Sequence, residues 1–184
     1  MDNPEKLNPI ESIMKAMKKI TDRNLTVKRT DLPPKRRERV YCYELYHQMR
    51  LLNEFGDFTI HGEIDKRGDH SCNRSNPDFV IHHPGRNQRE DNFVTIEVKV
   101  SDDLFGIIVD LEKLAYMITK HNYQYGVFIL VGTSMDWLKN NGKEAIQHLS
   151  KSSNALHQIY IICHLDQHNI EAERLDNLQK ETLL

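Results

Sequence analysis

The pattern of apolar and polar positions near the start of the chain predicts an amphipathic helix. Five apolar residues recur at helical spacing: Ile10, Ile13, Met14, Met17 and Ile20. Asn8 precedes them as an N-cap, Pro9 suits the first helical position, and Glu11 falls at the capping-box position. This helix has about three turns, and its apolar stripe packs either on the domain itself or on another subunit.

A second helix is predicted from near Arg37 to about Asn53, after a loop that contains Pro33-Pro34. Its apolar residues occupy an arc of about 140° on a helical projection, and they are Val40, Tyr41, Leu45, Leu51, Leu52 and Phe55. Glu44 falls inside this arc. A carboxylate that faces a core needs a cation, a metal or several donors. The pattern therefore leaves Glu44 open between a buried structural ion pair and a functional role.

The middle of the chain has the pattern of β-strands. Residues 58–64 alternate loosely, and residues 78–82 and 93–99 are runs rich in β-branched and aromatic side chains. The polar segment 83–92, with Pro-Gly near its start, separates the last two runs as a hairpin loop would. These two strands are therefore expected to pair as neighbours.

The rest of the chain alternates between helical and strand patterns. A helix is predicted from residue 103, a fully buried strand over 126–132, a helix over about 135–150 and a strand over 159–163, followed by a polar C-terminal helix. Three consecutive strands followed by β-α-β crossovers predict an α/β fold with a mixed central sheet flanked by helices.

Composition restricts the class of protein. A chain of 184 residues has the length of about one domain. No apolar run reaches the roughly 18–20 residues of a membrane span, and the N-terminus carries no apolar signal core. We therefore expect a cytoplasmic protein without a membrane partner. Three scattered cysteines, Cys42, Cys72 and Cys163, indicate reduced thiols rather than a disulfide framework or a cysteine-rich zinc site.

Charge is distributed unevenly along the chain. Residues 15–39 hold ten Lys or Arg and three Asp or Glu, although the net charge of the whole chain is −2. Closely spaced cations such as those in Lys35-Arg36-Arg37 gain from counterion release on a polyanion. A solvated face explains the same pattern equally well, so the charge permits a nucleic-acid partner without establishing one.

One strand carries charged side chains on a single face. Because side chains alternate along a strand, Glu97 and Lys99 point to the same side. An antiparallel hairpin places Asp78, at the start of the preceding strand, beside Glu97. Two converging carboxylates suit a hard divalent cation such as Mg²⁺. A lysine at the edge of such a site can orient or help deprotonate a water and offset charge on a phosphoryl oxygen.

These residues resemble the motif of the PD-(D/E)xK nuclease superfamily. The match consists of Pro77-Asp78, eighteen further residues, and Glu97-Val98-Lys99. The order helix, three strands, helix, strand between about Arg37 and Gly132 resembles that family's core. The resemblance implies a restriction-endonuclease-like α-β-β-β-α-β core with extra terminal helices. It also implies a single nuclease domain over residues 37–184, after a basic helical extension over residues 1–36.

The resemblance also implies roles for individual residues. Asp78 would be the main metal ligand, Glu97 a second ligand and the Val98 carbonyl a third. Lys99 would be the catalytic lysine. Glu44 matches the acidic residue that many members contribute from the first core helix, so it would be an auxiliary ligand. The implied reaction is phosphodiester hydrolysis that depends on Mg²⁺, with Mn²⁺ as the other candidate ion.

The expected partner is nucleic acid, with DNA favoured over RNA and endonuclease over exonuclease activity. Phosphate contacts are expected from Lys35, Arg36, Arg37, Lys66 and Lys113. A single core has little surface to grip a duplex, so a homodimer is expected. Restriction, mobile-element defence and repair are the settings that the family suggests. The competing hypothesis is a catalytically silent module that keeps the fold and binds nucleic acid or a protein.

Overall fold

The computed structural model describes residues 7–62, 76–86, 88–100, 102–150 and 154–182. Its helices are α1 (Pro9–Met17), α2 (Asp22–Leu25), α3 (Glu38–Leu52), α4 (Leu104–His121), α5 (Met135–Asn141), α6 (Lys143–Ser150) and α7 (Leu175–Thr182). Its strands are β1 (Thr26–Arg29), β2 (Leu32–Arg36), β3 (Thr59–Gly62), β4 (Phe79–His82), β5 (Asn92–Lys99), β6 (Tyr125–Val131), β7 (Ile159–Asp166) and β8 (Asn169–Arg174).

Six of the described strands form one mixed sheet in the order β3-β4-β5-β6-β7-β8. Strands β5, β6 and β7 are parallel, whereas β3, β4 and β8 run antiparallel to their neighbours. Apolar residues of α1 and α3 pack on one face, and those of α4 to α7 pack on the other. The predicted mixed sheet flanked by helices, with β4 and β5 as antiparallel neighbours, is confirmed.

Helix α1 packs on the domain itself. Ile13, Ala16 and Met17 on its inner face are fully buried in the same core cluster as the inner face of α3. The Asn8 side chain accepts from the Ile10 N–H at 3.2 Å, as an N-cap does. Of the two alternatives for its apolar stripe, the structure shows packing on the domain. The core therefore includes a helix from the segment that was interpreted as an extension.

Helix α3 buries a face that differs from the predicted arc. Tyr41, Leu45 and Met49 are its buried residues, whereas Val40 is 37% and Leu51 is 66% exposed. Spacing by four residues keeps the three buried side chains in one row against the sheet and α1. The sequence shows which residues are apolar, but the contacts of the packed helix decide which of them are buried.

Two local expectations were wrong. The loop containing Pro33-Pro34 is instead strand β2, which pairs with β1 in a separate two-stranded ribbon. Prolines are tolerated there because an edge strand has unpaired N–H positions. The helix predicted over 135–150 is divided at Gly142, where a side chain would lie 2.7 Å from the Leu138 carbonyl oxygen. The polar C-terminal helix is present as α7, and strand β8, which the sequence pattern did not predict, precedes it.

No helix in the described ranges is long and apolar enough to cross a membrane. The cytoplasmic location and the absence of a membrane partner stay predictions. Among the described residues, Cys42 and Cys163 are not joined in a disulfide, whereas Cys72 lies outside the described residues.

Candidate functional site

The antiparallel pairing of β4 and β5 brings two acidic residues together. Phe79 is opposite Ile96, so Asp78, one residue before β4, is placed beside Glu97. The Val98 N–H donates to Asp78 Oδ2 at 2.7 Å. A pocket of about 380 Å³ surrounds this point, and its lining residues are Glu38, Asn76, Asp78, Glu97, Val98, Lys99, Asp110 and Lys113. We call it the carboxylate pocket.

Ion pairs join the two strands to helix α4. Lys113 Nζ lies 2.7 Å from Glu97 Oε2 and 3.5 Å from Asp110 Oδ1. Lys99 Nζ lies 2.8 Å from Asp110 Oδ2. Charges therefore alternate along Glu97, Lys113, Asp110 and Lys99, and each ammonium group is held between carboxylates or beside one.

The first turns of α4 make this arrangement possible. Asp110 and Lys113 are three residues apart, so they share the helix face that meets β5. Gly106, in the first turn of α4, permits the close approach of Lys99. A side chain there would place its Cβ 2.8 Å from Asp103 Oδ2 and 3.3 Å from Lys99 Nζ.

Both carboxyl groups of the pair are in an environment that disfavours their charge. Burial raises the pKa of Asp78 to about 6; the charges of Glu38 and Asp110 add to this, and the Val98 N–H and Lys113 oppose it. Burial also raises the pKa of Glu97 well above its ordinary value, and the nearby Lys113 offsets only part of that rise. Additional positive charge in the pocket would stabilise the ionised forms of both residues.

The two lysines remain cations. Burial by itself lowers the pKa of Lys99, but the hydrogen bond and charge of Asp110 outweigh it, and the pKa is raised. Burial likewise lowers the pKa of Lys113, whereas Glu97 and Asp110 raise it further. Lys99 is therefore suited to stabilise negative charge or orient a water, and it is not suited to accept a proton at neutral pH.

The structure places Glu38, rather than the expected Glu44, at the carboxylate pocket. Glu38 is the first residue of α3, whereas Glu44 lies six residues further on, about 9 Å along the axis and on another side of the helix. The Glu44 Oε1 accepts instead from Gln48 Nε2 at 2.7 Å. The position of Glu38 at the predicted start of the helix is the signal that could have identified it.

Asp110 is a second pocket residue that the sequence motif did not indicate. One sequence signal could have identified it. Asp110 lies three residues before Lys113 on the helix that directly follows the Glu97-Val98-Lys99 strand, so both residues share a face of that helix. Lys113 was expected to contact phosphate. It is instead 7% exposed and bound to Glu97, because its stem lies between α4 and the sheet.

Two of the basic residues expected to contact nucleic acid line a cleft beside the carboxylate pocket. Lys35 and Arg36, at the end of β2, line a second cleft beyond the ends of β5 and β6. Arg37 directly precedes α3 and is exposed. Lys66 lies outside the described residues. The structure thus brings Lys35 and Arg36 to one cleft and leaves Arg37 at the surface beside them.

The oxygen donors of the carboxylate pocket fit a hard divalent cation. Glu97 Oε1 is buried without a hydrogen-bond partner, and such an oxygen retains its capacity to bind a cation. Asp78, Glu97 and the Val98 carbonyl are all oxygen donors, which Mg²⁺ prefers. Among the described residues, no group of three or more His, Cys, Asp or Glu side chains is arranged to hold a metal ion. The fit therefore involves two side-chain carboxylates rather than three.

The chain matches no protein-family model, no curated protein and no solved structure. Similarity to known proteins therefore assigns neither a family nor a function. What the fold and site define is a mixed α/β chain with a carboxylate and lysine pocket at the edge of its central sheet. Function has to be argued from that arrangement.

Proposed function

We propose that this chain is a metal-dependent nuclease of the PD-(D/E)xK class that hydrolyses phosphodiester bonds of nucleic acid, DNA before RNA. The observation that carries the proposal is the meeting of Asp78 and Glu97, from adjacent strands, with Lys99 in one pocket. The order of elements from α3 to β6 supports a restriction-endonuclease-like core. We propose an endonuclease, and the biological roles that suit it are restriction, mobile-element defence and repair.

Charge in the carboxylate pocket favours a divalent cation. Four carboxyl groups and two ammonium groups line it, so two negative charges are left unbalanced when all of them are ionised. Mg²⁺ or Mn²⁺ held by Asp78, Glu97 and the Val98 carbonyl would polarise the phosphoryl group and make a bound water more acidic.

The residues of the chain have separate tasks in this proposal. Lys99, held by Asp110 at 2.8 Å, donates to a non-bridging phosphoryl oxygen and offsets the charge that develops there. Lys113 contacts Glu97 and Asp110 rather than the substrate, so it is a positioning residue. Glu38 extends the acidic wall of the pocket from the start of α3.

One observation favours the alternative of a catalytically silent module. Lys113 lies 2.7 Å from Glu97 and already compensates part of its charge without a metal. In that alternative the ion pairs stabilise the fold, and the protein binds nucleic acid or another protein without cleaving it. Metal binding distinguishes the two functions, because the silent module has no use for a cation between Asp78 and Glu97.

The test is cleavage of supercoiled plasmid, linear duplex, single-stranded DNA and RNA by the purified chain with Mg²⁺, with Mn²⁺ and with chelator. We expect metal-dependent cleavage that falls by about 100-fold or more in Asp78→Asn and in Lys99→Met, since each removes transition-state stabilisation. Absence of cleavage together with absence of metal binding by calorimetry would contradict the proposal and favour the silent module.

Glu38→Gln and Glu44→Gln form a matched pair within the same experiment. Both remove one carboxylate charge from α3, but only Glu38 lines the carboxylate pocket. We expect Glu38→Gln to weaken metal binding and cleavage, and Glu44→Gln to leave both unchanged. The reverse result would mean that the role implied for Glu44 by the resemblance is correct.

A further inference from the structure

The second cleft has the chemistry of a nucleotide-binding site. It has a volume of about 670 Å³ and lies beyond the carboxyl ends of the parallel strands β5 and β6, beside the β1–β2 ribbon. Seven polar or aromatic residues line it: Thr26, Lys35, Arg36, Asp102, Thr133, Ser134 and Trp137. Two cations and one carboxylate leave an excess of positive charge in this group.

The Arg36 guanidinium is held across the strand ends. Its Nη2 donates to the Leu165 carbonyl at 3.3 Å, and the group lies directly against Gly132, whose φ is +82°. A Cβ at residue 132 would occupy the place of the guanidinium. Because a guanidinium has five N–H donors, one carbonyl contact leaves others for an anionic ligand.

The cleft combines hydroxyl groups with an aromatic ring. Ser134 Oγ accepts from the backbone N–H of Trp137 at 3.1 Å, so its own hydrogen remains available to donate, and Thr133, the preceding residue, also lines the cleft. Trp137 is the only tryptophan of the chain. Indole rings are effective stacking surfaces for nucleic-acid bases.

Residues that are neighbours in sequence line the cleft and the carboxylate pocket. Lys99 lines the pocket, and Val100, the next residue, lines the cleft. Arg36 lines the cleft, and Glu38, two residues later, lines the pocket. Two residues of extended chain span about 7 Å, which is similar to the step between neighbouring phosphates of a strand.

We infer that this cleft holds one unpaired nucleotide beside the phosphodiester that is cut. This inference rests on the proposed nuclease function. The phosphate of that nucleotide lies at Arg36 and Lys35, and its base stacks on Trp137. A base inside a duplex has both faces covered by its neighbours, so it cannot stack on the indole. The substrate class is therefore a strand with an unpaired nucleotide next to the cleaved bond.

The fluorescence of Trp137 tests this inference directly, because no other tryptophan contributes to the signal. The full chain is titrated in chelator, where no metal-dependent cleavage occurs, with oligothymidylate, with oligouridylate and with a blunt duplex. We expect quenching by single strands and little by the duplex. The oligothymidylate and oligouridylate arms distinguish DNA from RNA as the source of the nucleotide.

Variants separate the cleft from general attraction to a polyanion. We expect Arg36→Ala to weaken oligothymidylate binding about tenfold. The control is Arg89→Ala, which should leave binding unchanged. Arg89 is an exposed cation in the loop before β5, at the end of that strand opposite to the cleft. Anisotropy of a labelled oligonucleotide should show weaker binding to Trp137→Ala than to Trp137→Phe, which keeps a ring for stacking. Circular dichroism checks the fold of each variant.

The outcomes separate this inference from the proposed function. Cleavage without quenching, or equal quenching by duplex and single strand, would overturn the nucleotide site and leave the nuclease intact. Quenching that Arg36→Ala weakens, with neither cleavage of any substrate nor metal binding, would support the nucleotide site and contradict the proposed nuclease.

Discussion

Asp78 and Glu97 are held where their ionised forms are unfavourable. Both are removed from water, and each is near further acidic groups. Buried carboxylates with raised pKa values reduce the stability of the folded state at neutral pH. Such a cost is common at functional sites, where residues are arranged for binding or catalysis rather than for stability. The pair can therefore be examined by stability as well as by activity.

Asp78→Asn should make the chain more stable at neutral pH in chelator. The pKa of Asp78 is raised from 3.8 to about 6 in the folded state, so the folded chain binds the proton more tightly than the unfolded chain. Its contribution to stability therefore falls as pH rises from about 4 to about 6 and stays low above that range. Asparagine keeps an acceptor for the Val98 N–H without the charge. We expect a gain of up to about 3 kcal/mol at pH 7 and little at pH 4.

Urea denaturation at the two pH values measures this effect. Asp57→Asn, at an exposed position, is the matched control and should change stability little at either pH. A loss of stability in Asp78→Asn at pH 7 would show that the charge of Asp78 is compensated within the fold. In a separate measurement, adding Mg²⁺ should stabilise the natural chain but not Asp78→Asn, because only the natural chain keeps the carboxylate that binds the ion.

At the scale of elements, the site depends on how closely α4 approaches the end of β5. The Lys99 ammonium reaches Asp110 across the first turns of the helix, where Gly106 leaves room for it. Asp103 caps the same helix by accepting from the Phe105 N–H at 3.2 Å. The start of α4 therefore serves both the stability of the helix and the position of the lysine.

Gly106→Ala should lower cleavage by about tenfold or more, because a small displacement of a catalytic group has a large kinetic effect. Its stability should change by less than about 1 kcal/mol, since alanine favours the helix while its Cβ disturbs the Asp103 cap. Steady-state cleavage and urea denaturation measure the two effects. Val109→Ala, which also raises helix propensity but lies outside the pocket lining, is the control. Unchanged cleavage in Gly106→Ala would show that Lys99 does not depend on this close approach.

At the scale of the whole molecule, the carboxylate pocket and the second cleft both lie at the edge formed by the carboxyl ends of the parallel strands. The β4–β5 hairpin supplies the carboxylate pair, and the parallel β5-β6 pairing places the cleft directly beside it. The described residues form one six-stranded sheet with a helical layer on each face and a separate two-stranded β1–β2 ribbon. For the proposed nuclease, we expect grip on a long substrate to come from this edge or from a second copy of the chain.

A homodimer remains our prediction for the chain in solution. Light scattering should give twice the mass of 21.6 kDa, and Asp78→Asn should have the same mass because its change is local. A single-chain mass at all concentrations would contradict the dimer.

Local patterns predicted most of the central elements. The strong strand runs that became β4 and β5, their hairpin and the helix that follows are present as expected. Strand β8 was not predicted, because Glu and Ala in residues 169–174 are not typical of strands. The ladder with β7 supplies hydrogen bonds that outweigh this propensity. Met49 was likewise absent from the predicted apolar arc of α3 and is fully buried.

The amino-acid order alone was sufficient to place Asp78 beside Glu97 with Lys99 on the same face, because hairpin register and strand alternation are local geometric properties. Tertiary packing decided that Glu38 rather than Glu44 reaches the pocket, since the start of α3 relative to the strand ends depends on contacts distant in sequence. It also decided that Lys113 is buried against Glu97 and that Arg36 meets Gly132. These are contacts between separate elements, and no local pattern specifies how such elements are oriented when they pack.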